Sequence, residues 1–135
     1  MKHKILVVDD EEEVRKTIRL QLKGTDLETV EAEDGKKGIE MLDAENATIM
    51  DAILCDVRMP NINGVEAVAY FRREYPTIPV IVLTGYPDVK LAVDFMKQGV
   101  VDYLVKPVEK SKLVETVMKA ISQRTMVGAT EPVIM

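Results

Sequence analysis

The sequence predicts an α/β fold of five strand–helix repeats, (βα)5, forming a doubly wound parallel sheet with helices on both faces. Three observations carry that expectation. Short apolar runs recur at Ile5-Leu6-Val7-Val8, Ala52-Ile53-Leu54-Cys55, Val80-Ile81-Val82-Leu83 and Tyr103-Leu104-Val105, and they are continuous rather than alternating, as strands buried on both faces require. Between them lie segments with apolar residues at helical spacing. The cadence is roughly 25 residues per pair, a matter of chain topology rather than repeated sequence. A length of 135 residues suits one domain, because each of two would be short of a core.

In chain order, the first strand is expected over residues 5–8 and stops at the acids that begin with Asp9. Val14, Ile18 and Leu22 mark one stripe of a helix that Gly24 ends. Leu27 to Val30 alternates weakly, which places the second strand near a sheet edge. Gly35 opens a helix with Gly38, Ile39 and Leu42 inward, and the third strand follows at residues 52–55. After Asn63-Gly64 comes a helix with Val65, Val68 and Ala69, then Pro76 and Pro79 before the fourth strand. Leu91, Ala92, Phe95 and Met96 stripe the fourth helix, which Gly99 ends. The fifth strand at 103–105 precedes a helix from about Glu109 to Gln123 with Leu113, Val114, Val117, Met118 and Ile121 inward. Residues 1–123 form the expected domain, and 124–135, with Gly128 and Pro132 and no period, a C-terminal tail or the start of a linker. Right-handed crossovers leave few topologies. Strand order 2-1-3-4-5, a flavodoxin-like three-layer sandwich, is the commonest with five strands, and its ligands bind beyond the carboxyl ends of the strands.

Composition narrows the function classes. Apolar residues are 47% and charged residues 30% of the chain, a globular balance. A net charge of -5 argues against direct nucleic-acid binding or a membrane-surface role. Cys55 is the single cysteine, so an internal disulfide and Cys-rich metal sites are excluded. Neither a secretory apolar region nor a spanning segment is legible, and the expected location is the cytoplasm.

The chemistry lies just past the apolar runs. The first ends in Asp9-Asp10, the third in Asp56, the fourth in Thr84 and the fifth in Lys106-Pro107. Strand ends at the switch point converge in space, so three carboxylates, a hydroxyl and an ammonium meet at one rim. Clustered carboxylates repel unless some protonate or a cation sits among them. With only oxygen donors to hand, a hard ion such as Mg²⁺ is selected over Zn²⁺. Taken singly, each piece reads as ordinary structure: Asp9-Asp10 as a helix cap, Asp56 as a turn former, Thr84 and Lys106-Pro107 as loop starts. Surface decoration does not place all of them at the ends of four different strands. Cys55 is expected as a small buried hydrophobe and His3 as a solvated arm residue. Met96 and Met118 are expected in the core, and Glu11 to Glu13 as complements of a helix dipole.

These residues resemble the response-regulator receiver domain of two-component signalling over residues 4 to about 123. The matching motifs are Ile5-Leu6-Val7-Val8-Asp9-Asp10, Leu54-Cys55-Asp56-Val57-Arg58-Met59-Pro60, Asn63-Gly64, Val82-Leu83-Thr84-Gly85 and Asp102-Tyr103-Leu104-Val105-Lys106-Pro107. Residues 92–99 are most similar to receivers attached to transcriptional activators. The resemblance implies that Asp56 accepts a phosphoryl group from a sensor histidine kinase. It implies Mg²⁺ (or Mn²⁺) held by Asp10, Asp56 and the carbonyl of Arg58, with Asp9 acting through water. Thr84 and Lys106 then bind phosphoryl oxygens, the Lys106–Pro107 bond is cis, and Tyr103 turns as a switch that alters the face of the fourth helix, fifth strand and fifth helix. The partners so implied are the kinase, an output domain or effector protein, and a second copy of the chain. The role is that of a regulatory phosphoacceptor rather than an enzyme with an outside substrate. Two other classes share parts of the pattern. A dehalogenase-type phosphatase needs Asp-x-Asp at its nucleophile, whereas Asp9 is followed two on by Glu11 and Asp56 by Arg58. A flavin or nucleotide carrier needs a Gly- or Ser/Thr-rich phosphate loop where acids stand here.

Overall fold

The computed structural model describes residues 2–44, 46–57 and 64–130. Its elements in chain order are β1 (His3–Val8), α1 (Glu12–Leu22), β2 (Leu27–Ala32), α2 (Gly35–Asp43), a 3-10 turn (Asn46–Ile49) and β3 (Met50–Asp56). They continue with α3 (Gly64–Glu74), β4 (Val80–Thr84), α4 (Val89–Lys97), β5 (Asp102–Val105) and α5 (Lys110–Thr130). The strands form one parallel sheet in the order β2-β1-β3-β4-β5, the predicted flavodoxin-like α/β arrangement. The weakly alternating strand is β2, at an edge.

The continuous apolar runs follow from a two-sided core. Ile5 and Val7 of β1, with Ala52 and Leu54 of β3, pack with Ile18 and Leu22 of α1 and Leu113 and Val117 of α5. Their alternate neighbours Leu6, Val8, Ile53 and Cys55 pack on the other face with Leu42 of α2, Val68 and Phe71 of α3 and Phe95 of α4. With successive side chains pointing to opposite faces, a strand facing helices on both sides has no position in its middle for a polar residue.

Several local expectations are corrected. On α3 the buried residues are Gly64, Ala67, Val68 and Phe71, whereas Val65 and Ala69 are exposed; the inward stripe is centred on Ala67, Val68 and Phe71, and a small apolar residue beside it passes for part of it. Met96 and Met118 are 50% and 37% exposed, outside the core despite their spacing. His3 begins β1, with Nδ1 3.5 Å from Asp51 Oδ2, rather than lying in a free arm. The last helix does not stop at Gln123 but runs to Thr130, because no glycine or proline interrupts residues 110–127. Arg124, placed by sequence in the tail, anchors this helix to the sheet, its Nη1 donating to the Met50 carbonyl at 3.0 Å. No helix among the described residues is long and apolar enough to cross a membrane.

Phe71 is fully buried whereas Met96 is half exposed, so two substitutions separate core from surface. Phe71→Ala is expected to cost about 3–5 kcal/mol of unfolding free energy. Met96→Ala is expected to stay within about 0.5 kcal/mol. Urea titration of both variants checks the difference.

Candidate functional site

Register sets which residues meet. Val8 of β1 pairs with Cys55 of β3, Asp56 with Leu83 of β4, and Thr84 with Val105 of β5. Asp9, Asp56, Thr84 and Lys106 therefore leave adjacent strands at nearly one level, and the Lys106 N–H donates to the Thr84 carbonyl at 2.8 Å. The period of two puts Asp56 on the face of Ala52 and Leu54, the α1/α5 side. The Lys106–Pro107 bond after β5 is cis. At Gly64 an added Cβ would overlap the Asp56 carbonyl and the Val57 backbone, so only glycine lets α3 begin this close to the end of β3.

Lys106 Nζ lies 2.8 Å from Asp9 Oδ2, 3.0 Å from Asp56 Oδ2 and 3.3 Å from Glu11 Oε1. Asp9 and Asp56 are 0% and 2% exposed. Burial pushes the Asp9 carboxyl above its ordinary range, opposed by Lys106 and by the Glu11 N–H that donates to Oδ1 at 2.9 Å. Burial alone would lower the Lys106 ammonium, but the adjoining Asp9 and Asp56 carboxylates outweigh it and hold it above an ordinary lysine. Asp9 Oδ2 has the ammonium beside it as an ion pair, yet no donor among the described residues meets it at hydrogen-bond angles. It is charge-paired but not saturated.

Carboxylate oxygens of Asp9, Asp10, Glu11 and Asp56 all lie within 4.8 Å of one another. Four acids with one buried, unsaturated oxygen form a donor set suited to a hard divalent cation such as Mg²⁺. The nearby thiol does not compete, because burial pushes Cys55 well above its ordinary value and it donates to the Asp56 carbonyl at 3.3 Å. Arg58, whose carbonyl the family resemblance adds to the metal ligands, lies outside the described residues, as do the other residues of 58–63.

Thr84 is buried and its Oγ1 accepts from the Tyr86 N–H at 3.0 Å. Tyr103 is not at the acidic rim. Its hydroxyl accepts from the Asp88 N–H at 3.2 Å at the start of α4, and its ring lines a shallow apolar groove with Pro87, Val89, Ala92, Val93 and Met96. Sequence reasoning gave Glu11 only a role in the helix dipole and missed its approach to Lys106. Its position directly after the acid pair was the available signal.

The comparisons with known proteins agree with this geometry. A family model described as response regulator receiver domain matches residues 5–118. The transcriptional regulatory protein ZraR of Escherichia coli is 32% identical over 96% of this chain, and the DNA-binding transcriptional regulator NtrC of Escherichia coli is 34% identical over 87%. The chain spans only 29% and 24% of their lengths. A crystal structure of a response regulator receiver domain protein from Clostridium thermocellum superposes with a TM-score of 0.84 at 31% identity, covering 93% of this chain and 98% of that one. With the acid pair, the central aspartate, the threonine and the lysine each at its own strand end, the chain belongs to the response regulator receiver domain family.

Proposed function

We propose that Asp56 accepts a phosphoryl group from the phosphohistidine of a sensor kinase, and that the phosphorylated state is read by an output partner. The observation that carries this reading is the Lys106 ammonium set between the buried Asp9 and Asp56 carboxylates, 2.8 and 3.0 Å away. In the transfer an Asp56 carboxylate oxygen attacks phosphorus, the O–P bond forms, and the P–N bond to the donor imidazole breaks. Nucleophile and phosphoryl group are both anionic, so cationic groups must face the phosphoryl oxygens. Lys106 supplies one, exchanging part of its contact with the carboxylates for a phosphoryl oxygen. Asp9, Asp10, Asp56 and the Arg58 carbonyl would hold Mg²⁺ or Mn²⁺, which when bound neutralises charge on the transferring group. Thr84 turns its hydroxyl to a phosphoryl oxygen.

The same movement supports a switch. Thr84 is tied to Tyr86, and Asp88 to Tyr103, so one short loop touches both the site and the ring. Turning of Tyr103 would then be a population shift between two packings. The face it alters is formed by α4, β5 and α5, whose exposed apolar residues include Val89, Val93, Met96 and Val105. An output domain, an effector or a second copy would meet that face, and Pro107 sets the direction of Lys106 beside it. The phosphoacceptor unit takes in the whole of α5, which continues past residue 123 to Thr130. The similarity to transcriptional regulators favours transcription as that output, with any DNA contact made outside this acidic domain.

Incubation with Mg²⁺ and acetyl phosphate should add one phosphoryl group by intact mass, labile to hydroxylamine. Asp56→Asn should abolish it, and an unchanged adduct would overturn the assignment. Asp10→Ala should weaken Mg²⁺ binding by at least about tenfold, followed by amide shifts. Lys106→Ala should retain metal binding but lose the shifts that acetyl phosphate induces around Tyr103; a response equal to the parent's would remove Lys106 from the mechanism.

A further inference from the structure

Asp9 leaves the sheet at the end of β1, with its N–H donating to the Ala32 carbonyl of β2 at 3.1 Å. Its own carbonyl lies beyond the strand ladder and before α1. The donor that reaches it is Arg15, whose Nη1 lies 2.7 Å away. The same guanidinium donates through Nε to Glu31 Oε1 at 3.3 Å, and the other Glu31 oxygen accepts from Arg19 Nη1. The Arg15 side chain is only 15% exposed. A planar fork that meets a backbone carbonyl and a carboxylate at once fixes both.

The charge arrangement matters as much as the contact. The ion pair made by Arg15 is with Glu31 on β2, away from the carboxylates of the site. Arg15 therefore holds the turn of residues 9–11 from its backbone side and leaves the negative charge of the acidic cluster in place. On that turn stand Asp9, Asp10 and Glu11, three of the four acids whose oxygens converge within 4.8 Å. Asp9 Oδ1 is in turn fixed by the Glu11 N–H at 2.9 Å, so the spacing of the acids follows from the backbone that Arg15 clamps.

We propose that Arg15 is a positioning residue for the acidic site: its guanidinium fixes the turn of residues 9–11 in the geometry that takes a divalent cation, and Glu31 orients it for that purpose. This rests on the reading of the acidic cluster as a Mg²⁺ site. Groups that orient metal ligands without touching the metal typically contribute about 10–100-fold in affinity. A lysine at position 15 keeps the charge but lacks the planar fork that meets Asp9 and Glu31 through two separate nitrogens.

Two readouts on the whole chain test it: Mg²⁺ titration followed by amide signals, and hydrogen exchange at the Glu11 amide in metal-free protein. Arg15→Met is expected to weaken Mg²⁺ binding about tenfold and to speed Glu11 exchange. Arg19→Met, which removes the other arm on Glu31, should leave both within about twofold of the parent. Arg15→Met binding like the parent overturns the proposal. Equal losses in Arg15→Met and Arg19→Met also overturn it, because they mark a general α1–β2 tether. Should Arg15→Met fail to fold, Arg15→Lys takes its place, with an intermediate loss expected and parent-like values overturning. If the parent binds no divalent cation, the Mg²⁺ reading fails. The Glu11 exchange then decides alone, with acceleration confined to the Arg15 variant supporting the clamp and unchanged exchange overturning it.

Discussion

Two carboxylates buried side by side lose their hydration and repel each other, and in this fold one ammonium offsets both effects. Lys106 reaches Asp9 and Asp56 from the end of β5, across the sheet from β1. Removing one partner of a buried ion pair typically costs about 3–5 kcal/mol, so the site is stable only while cation and anions balance. That balance is incomplete here. Asp9 Oδ2 lacks a directed hydrogen bond among the described residues, burial holds the Asp9 carboxyl above its usual range, and Asp10 and Glu11 add further negative charge at the mouth. An acidic pocket that already holds the Lys106 ammonium and still carries an unsaturated buried oxygen is a donor set suited to a divalent cation.

The sheet topology makes this arrangement possible. In a parallel sheet every strand delivers its carboxyl end to the same edge, and the order β2-β1-β3-β4-β5 puts the strands carrying Asp9, Asp56, Thr84 and Lys106 next to one another. An antiparallel sheet would send alternate members to opposite ends. The helices then refine positions that the strands set coarsely. Gly64 allows α3 to start against the Asp56 backbone, and Gln21 of α1 donates to the Val108 carbonyl at 2.8 Å, steadying the loop after the cis Lys106–Pro107 bond.

The strands and the rim residues were legible because two strong physical signals coincided. Burial on both faces demands uninterrupted apolar runs, and polar residues that are ordinary singly gain meaning when they end four such runs at one edge of a parallel sheet. The helices were less legible at their margins. On α3, Val65 and Ala69 satisfy helical spacing as well as Ala67 and Phe71 do, and only packing against β3 and β4 selects the stripe that includes Phe71. Met96 matches a core position on α4, but that helix buries only Phe95 fully, so its spacing overstates its burial. The length of α5 depended on the absence of a breaker rather than on the presence of a motif. Contacts such as those of Glu11 and Arg15 are set by side-chain reach across the chain, which no linear pattern records.

The loose packing of α4 bears on how a charge event at the rim could be read at a distance. At its C-terminal end α4 is held firmly: Arg72 donates to the Gln98 carbonyl at 3.1 Å, and Gly99, at φ +95°, sits where a Cβ would press on that guanidinium. At its N-terminal end Val89 is 83% exposed, and the contact across to β5 is the Asp88 N–H on the Tyr103 hydroxyl. Asp88 also caps the helix by accepting from the Leu91 N–H, so displacing that residue affects the cap and the tyrosine together. In the proposed switch the loop from Thr84 to Asp88 is drawn toward the phosphoryl group, and the end of α4 joined to that loop is the one where Val89 stands exposed. A helix pinned at one end and lightly tied at the other can pivot, and in the proposed switch that pivot would let a small change at Thr84 alter the apolar surface that Val89, Val93 and Met96 present.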